Sequence, residues 1–197
     1  MIKVIEGVGF FSCCSVRLSD IVRFINKKKT LPTDVDSSDQ FKWYKNDKNK
    51  DKDITFDYFK NYNNVIDVNI THPINYNHFH QFLHYSKLDY KCLTPLIKKY
   101  FSPSIEINKI INNIEKKYNL IYENICVLFY RGNDKHREIK KANYEEYLIY
   151  INELKKRNKN LVFLVQSDET EFIEFMTNKF PNNSFYFNDE IRHMKKC

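Results

Sequence analysis

Two kinds of apolar pattern run along this chain. Some apolar residues recur every three or four positions, as on one face of a helix; others form short runs that are continuous or alternating, as in strands. Ile2 to Glu6 reads as a short apolar strand. Leu18, Ile21, Val22 and Ile25 follow at helical spacing up to Lys27-Lys28-Lys29, basic residues that suit the negative end of a helix dipole. Between them, residues 7–15 read as a loop opened by Gly7-Val8-Gly9. Leu31-Pro32 ends the helix, and residues 33–36 begin a second strand. Strand, glycine loop, helix and strand is how an α/β half-domain starts.

Residues 40–62 are aromatic and charged without a clean period. Residues 65–70 (VIDVNI) alternate as a strand, residues 72–90 form a loop-and-helix region, and residues 96–101 make a short helix broken at Ser102-Pro103. From Ser104 the pattern sharpens. Ser104 caps a helix whose buried stripe is Ile107, Ile110, Ile111, Ile114 and Tyr118. Residues 125–130 (ICVLFY) form a continuous apolar run, expected of a strand covered on both faces. Tyr144, Tyr147, Leu148, Ile151 and Leu154 mark a helix, and residues 161–165 a second buried strand. Asp168 and Glu171 form a capping box for a helix reaching Lys179, and residues 184–187 a third strand. The order β-α-β-α-β predicts a parallel sheet with right-handed crossovers.

Composition narrows the classes. Average usage of roughly 7% glycine would place about fourteen in a chain of this length; the 197 residues contain 3, at positions 7, 9 and 132. A hydrophobic fraction of 42% excludes wholesale disorder. The net charge of +7 permits nucleic acid, an acidic surface or a phosphorylated ligand as partner. The lysines, however, are dispersed among acids, as in residues 44–53 (YKNDKNKDKD), which read as a solvated loop. No run approaches the roughly 18 apolar residues of a membrane span, and the 5 cysteines include no CxxC. The expected setting is a reducing cytoplasm.

In parallel α/β sheets ligands bind beyond the carboxyl ends of the strands. Arg131-Gly132-Asn133-Asp134-Lys135 follows one predicted strand, Gln166-Ser167-Asp168-Glu169 another, and the Gly7/Gly9 loop a third. An arginine at a strand tip either begins a surface loop or grips a diphosphate bidentately. Gly132 lets the backbone bend there, and Asp134 can hold Arg131 or Lys135. Asp168 reads both as a helix cap and as a nucleoside contact. The lone Gly7-Val8-Gly9 lacks the third glycine of a dinucleotide fingerprint, and no P-loop exists. His72, His78, His80 and His84 cluster, with His80 and His84 at helical spacing, yet no HExxH occurs and an aromatic interface is expected. Cys13 and Cys14 lack a base that would make either a nucleophile.

Residues 127–135 (VLFYRGNDK) resemble the nucleotide-sugar-binding region of the fucosyltransferase-like superfamily of glycosyltransferases. The family's motif runs roughly V-H-V-R-R-[GT]-D-[KRY] after a buried strand. Its first arginine falls on Arg131, its aspartate on Asp134 and its basic residue on Lys135. Phe129 stands where the family has histidine, and Gly132 replaces its second arginine. Residues 100–104 (YFSPS), 162–169 (VFLVQSDE) and 183–187 are similar to the neighbouring family segments, and residues 1–40 to its first strand-loop-helix. Glycosyltransferase-like proteins of AT-rich large DNA viruses are also similar.

The resemblance implies a GT-B fold of two Rossmann-like half-domains, residues 1–100 on the acceptor side and residues 101–197 on the donor side. It implies a GDP-fucose-type donor, a glycan or protein acceptor, and no metal. Arg131 would be catalytic, and Gly7, Gly9, Arg131, Gly132, Asp134, Lys135, Ser167 and Asp168 would line the nucleotide-sugar site. The family continues beyond its third strand, so the chain reads as truncated. Two other readings follow from that and from the charge: a non-catalytic nucleotide-sugar-binding remnant, and a basic nucleic-acid module.

Overall fold

The computed structural model describes residues 2–5, 9–62, 73–76, 85–133 and 140–188. The fold is mixed α/β, with small parallel sheets of two and three strands and, among the described residues, six α-helices. The chain divides into two compact units, Met1–Lys117 and Tyr118–Cys197.

In the first unit β1 (Ile2–Lys3) runs parallel to β2 (Val35–Asp36), with Ile2 opposite Val35. Helix α1 (Phe10–Lys28) connects them. It starts earlier than its apolar spacing predicts: Gly9 is the N-cap, and its carbonyl accepts the Cys13 N–H at 2.9 Å. Residues 10–15 are helix rather than loop. The reason is tertiary, since Phe10, Cys13 and Cys14 pack against Phe41 and Ile54. Further along, Leu18, Ile21, Val22 and Ile25 join Val4, Val35, Leu93, Leu96 and Tyr100 in the main core. Lys29 ends the helix in the left-handed region, its N–H bonded to the Ile25 carbonyl at 2.8 Å.

Helix α2 (Thr55–Tyr58) is a single turn in the aromatic stretch that shows no period. The expected strand at 65–70 lies outside the described residues. Helix α3 (Tyr90–Tyr100) begins six residues before the predicted start at Leu96. The Asp89 carboxylate accepts the Cys92 N–H at 3.1 Å and caps it, and the helix continues through Pro95. Helix α4 (Ile105–Tyr118) follows, with Ser104 Oγ accepting the Ile107 N–H at 3.3 Å, as the sequence predicts. Its stripe is not buried, however: Ile110 is 53% exposed, Ile111 is 36% exposed, and Ile107, Ile114 and Tyr118 are half-buried. Periodicity chooses a face for a helix; how far that face is covered depends on what packs against it. Pro103 and Ser104, just past the expected division at residue 100, are bonded within the first unit. Pro103 pairs with Phe59, and the Ser104 N–H donates to the Tyr58 carbonyl at 2.8 Å.

The second unit is β3 (Ile125–Tyr130), α5 (Tyr144–Arg157), β4 (Val162–Ser167), α6 (Thr170–Lys179) and β5 (Ser184–Phe185). The strands are parallel in the order β3-β4-β5, the β-α-β-α-β arrangement that the pattern predicts. Leu128, Tyr130, Phe163 and Val165 face Ile151 of α5 and Phe172, Ile173 and Met176 of α6. Two successive crossovers of the same hand, stepping the same way across the sheet, place both helices on one face. The other face of β3 is therefore open, with Val127 52% and Phe129 60% exposed. Among the described residues the strand is not covered on both faces, contrary to what its apolar run suggests.

Candidate functional site

The register of the second unit sets Tyr130 opposite Ser167, so β3 and β4 end level. Their continuations are stitched together. The Gly132 N–H donates to Asp168 Oδ1 at 2.8 Å, and Asn133 Nδ2 donates to the Asp168 carbonyl at 2.8 Å. Next to this turn lies the Glu169 carboxylate, with 15% of its side chain exposed. Its Oε1 accepts from Lys141 Nζ at 2.9 Å and its Oε2 from the Tyr144 hydroxyl at 2.6 Å. These are charge-assisted bonds, shorter and stronger than neutral ones.

Gly132 has a steric reason to be glycine. A Cβ at this position would lie 1.9 Å from Glu169 Oε1 and 2.7 Å from Tyr130 Cε1. The Tyr130 ring cannot yield, because it stacks on Phe172 with centroids 4.8 Å apart and meets Tyr144 edge-on at 5.1 Å. The carboxylate is held on both oxygens. Gly132 does not have a positive φ, so close approach and not backbone freedom selects it.

Electrostatics follow the geometry. Burial raises the Glu169 carboxyl, but the hydrogen bonds from Tyr144 and Lys141 outweigh it and hold the group below its usual value. Glu169 in turn keeps the Lys141 ammonium protonated to higher pH than usual. Burial first, and the Glu169 bond second, push the Tyr144 phenol up. All three groups are thus fixed in one ionisation state across the neutral range.

Of the residues that the sequence nominates, Arg131, Gly132, Ser167 and Asp168 meet here. Arg131 is exposed at the turn, Gly132 and Ser167 are buried, and Asp168 is half-buried. Ser167 Oγ accepts the Glu169 N–H at 2.9 Å. The expected capping box of Asp168 with Glu171 does not form. The helix cap falls on Glu169, without a side-chain cap bond, because Asp168 turns its carboxylate to Gly132. A capping arm occurs instead at α5, where Glu146 Oε1 accepts the Asn143 N–H at 3.0 Å. Asp134, Lys135 and Gly7 lie outside the described residues. Gly9 belongs to the first unit, past the end of β1, and a Cβ there would meet nothing within 4 Å. The sequence reading does not nominate Asn133, Lys141, Tyr144 or Glu169. Gly132 is the signal that points to them, being one of so few glycines.

A second polar centre lies inside the first unit. Arg17, fully buried on α1, donates to Ser37 Oγ and, at 2.6 Å, to the Tyr62 hydroxyl; its Nε has no hydrogen-bond partner among the described residues. The Ser37 N–H donates to Asp53 Oδ2 at 2.8 Å, and Tyr62 donates to the Val35 carbonyl at 3.2 Å. Arg17 therefore joins α1 to the tip of β2 through neutral oxygens. Its position at helical spacing between buried Cys13 and Ile21 is legible in the sequence, although the residue type conceals it.

Cys13 is buried, and burial pushes the Cys14 thiol up to about 12, the reverse of what activates a nucleophile. His72, His78, His80 and His84 lie outside the described residues. Among the described residues no group of three or more His, Cys, Asp or Glu is placed to hold a metal ion, and no helix is long and apolar enough to cross a membrane. Comparison of the chain with protein-family models, with curated proteins and with solved structures returns no match.

Proposed function

We propose that this chain is a glycosyltransferase of the fucosyltransferase-like, GT-B kind, taking a GDP-linked sugar as donor. The observation that carries the reading is the locked turn after β3. Asp168 holds the Gly132 N–H, Glu169 fills the space beside Gly132, and the preceding residue, Arg131, is exposed at the carboxyl end of a parallel strand. Strand ends of this kind are where α/β sheets bind ligands, and a turn held from two sides fixes the backbone from which the Arg131 guanidinium projects. The resemblance of residues 127–135 supplies the rest, including the donor class and the contribution of Asp134 and Lys135.

In transfer, the bond between the sugar's anomeric carbon and the phosphate oxygen breaks, and the diphosphate leaves with the electron pair. The acceptor oxygen forms the new bond and gives up its proton to a base. Negative charge grows on the departing diphosphate, so a pre-placed Arg131 stabilises the transition state more than the ground state. Asp168 and Ser167 hold the loops that aim it.

A thermal-shift titration tests this. Ligand binding to the folded state raises the melting temperature by mass action. GDP and GDP-fucose are expected to raise it, and Arg131→Ala to weaken GDP binding roughly tenfold to a hundredfold, the worth of a charged hydrogen-bonded contact. If no nucleoside diphosphate shifts the transition, or Arg131→Ala binds GDP as tightly as the parent, the reading is wrong.

A further inference from the structure

The first unit carries an exposed aromatic surface that its core does not use. Phe11 is 85% exposed, Trp43 70% and Tyr44 41%. Phe11 and Tyr44 flank one half-buried ring, Phe10. Phe10 meets Phe11 edge-on with centroids 5.5 Å apart and Tyr44 edge-on at 5.4 Å, and its N–H donates to the Tyr44 hydroxyl at 2.8 Å. Trp43 precedes Tyr44 in a single 3₁₀ turn, Lys42–Tyr44.

The base of this surface is fixed. Phe10 packs on Phe41 at 5.2 Å and on Tyr58 at 4.8 Å, and Phe41 is buried with Cys13 and Ile54. Phe41 has a φ of 55°, in the left-handed region. A bulky residue is strained there and stays only where its surroundings hold it. The chain passes directly from this buried ring to exposed Lys42, Trp43 and Tyr44. Single exposed apolar residues need no explanation, but large rings grouped on a fixed base mark an interaction surface.

The groups around the rings choose the partner. Lys42, Lys48, Lys50 and Lys52 are exposed in the turn and the loop after it. Lys45 folds that loop back, its Nζ donating to the Ser38 carbonyl and, at 3.3 Å, to the Lys50 carbonyl. Of the acids in residues 36–53, Asp39 pairs with Lys3 at 2.9 Å, and Asp36 accepts the Ser38 N–H at 2.9 Å. Asp53 turns one oxygen to the Ser37 N–H and the other to the Thr55 N–H. Asp47 and Asp51 remain exposed, so ammonium groups outnumber carboxylates at the outer rim, on a chain of net charge +7.

A partner that suits this surface is anionic and takes up protruding rings. A stacked nucleobase covers one face of a ring and leaves the other bare. Rings as exposed as Phe11 and Trp43 show both faces and an edge, and a medium that surrounds them covers all three. The boundary layer of a bilayer does so, and aromatic side chains settle in it. A second copy of the chain would set lysines against lysines. We infer that this surface docks on an acidic lipid bilayer, with Phe11 and Trp43 in the headgroup boundary and Lys42, Lys48, Lys50 and Lys52 against the lipid phosphates. Apolar insertion and charge are each weak anchors alone and suffice together. The chain then lies on the membrane and does not span it, and this holds whether or not it takes a nucleotide sugar.

Vesicles of phosphatidylcholine with about one-third phosphatidylserine test the inference on the full chain. Trp43 is the chain's one tryptophan, so tryptophan fluorescence reports on this surface alone. Its emission is expected to move to the blue, and the chain to pellet with these vesicles far more than with pure phosphatidylcholine. Trp43→Ala and Phe11→Ala should each weaken pelleting about tenfold, the worth of one buried aromatic side chain, and Trp43→Phe should keep most of it. Both positions are exposed, so urea melts of the variants should match the parent. Lys42→Glu with Lys50→Glu should weaken pelleting and reduce its dependence on salt. No pelleting, pelleting without a blue shift, unchanged pelleting in Trp43→Ala, or no preference for phosphatidylserine overturns the inference. So does a change of Trp43 emission with polythymidylate but not with vesicles, which would assign the rings to single-stranded nucleic acid. A change on raising the chain's own concentration, again without a response to vesicles, would assign them to a second copy and overturn it too.

Discussion

The two units answer one structural problem differently. Each has a small parallel sheet, and each has a glycine in the segment that follows a strand. In the second unit the glycine is sealed in, with Asp168 on its N–H and Glu169 and Tyr130 where a Cβ would go. In the first, Gly9 caps a helix in open space. The charged centres differ as well. Glu169 is matched by Lys141 at the surface of the second unit, whereas Arg17 is sunk in the core of the first among neutral hydroxyls. Among the described residues no carboxylate lies within ion-pair distance of Arg17. A glycine thus reports crowding only where its neighbours are fixed, and a buried charge reports a joint between elements as readily as a binding site.

Substitutions at four positions test this contrast. The largest effect is expected at Arg17. Arg17→Ala leaves a cavity in the first unit and removes the donors to Ser37 and Tyr62, and should lower unfolding free energy by about 3–4 kcal/mol in urea melts. Arg17→Met keeps the volume and discards a charge that has no ionic partner among the described residues, so it should cost about 1 kcal/mol. Equal losses in the two variants would show that the guanidinium itself holds the unit together.

Gly132→Ala comes next, at about 2 kcal/mol, because the added methyl must displace a fixed carboxylate or a stacked ring. The same change in a Glu169→Ala background should cost clearly less, since one of the two obstacles is gone. Additivity of the two would refute the steric account.

Third, Glu169→Gln tests the charge lock. The Glu169 carboxyl is held below its ordinary value of 4.5 in the folded state. Its contribution is therefore present above that value and is lost as pH falls through the depressed folded value. The parent's stability should decline on that acid limb, and Glu169→Gln should flatten the decline while lowering stability near neutrality by about 1 kcal/mol. An unchanged acid limb would mean that Lys141 and Tyr144 do not act on this carboxylate. The raised Lys141 group works in the opposite direction. Its share is complete below 10.5 and fades as pH rises beyond it.

The smallest effect belongs to Gly9. Nothing obstructs a methyl there, so Gly9→Ala should change stability by less than about 0.5 kcal/mol, and Gly9→Ser should add a few tenths through a helix cap. A loss comparable to that of Gly132→Ala would erase the difference between the two glycines.

Legibility in the sequence follows the range of the forces involved. The Ser104 cap, the start of α5 at Tyr144 and the β3–β5 order are set by local chemistry and periodicity, and each is readable from neighbouring residues. The early start of α1 is not, because Phe10 and Cys13 are drawn into the helix by Phe41 and Ile54, some thirty and forty residues away. Asp168 shows the same limit. Spacing to Glu171 predicts a cap, but Gly132 competes for the carboxylate, and that competitor is 36 residues distant.

Alternation, helical spacing and residue chemistry are local properties, and they are enough to predict the α/β class and the parallel connection of the last three strands and to nominate Arg131, Gly132, Ser167 and Asp168. Tertiary structure alone decided which apolar faces are covered. Crossovers of one hand put α5 and α6 on the same side of the sheet and left Val127 and Phe129 open. It also decided why Gly132 is glycine. That depends on a carboxylate and a ring brought against it by strand register and helix packing, and no periodicity in the chain encodes such an encounter.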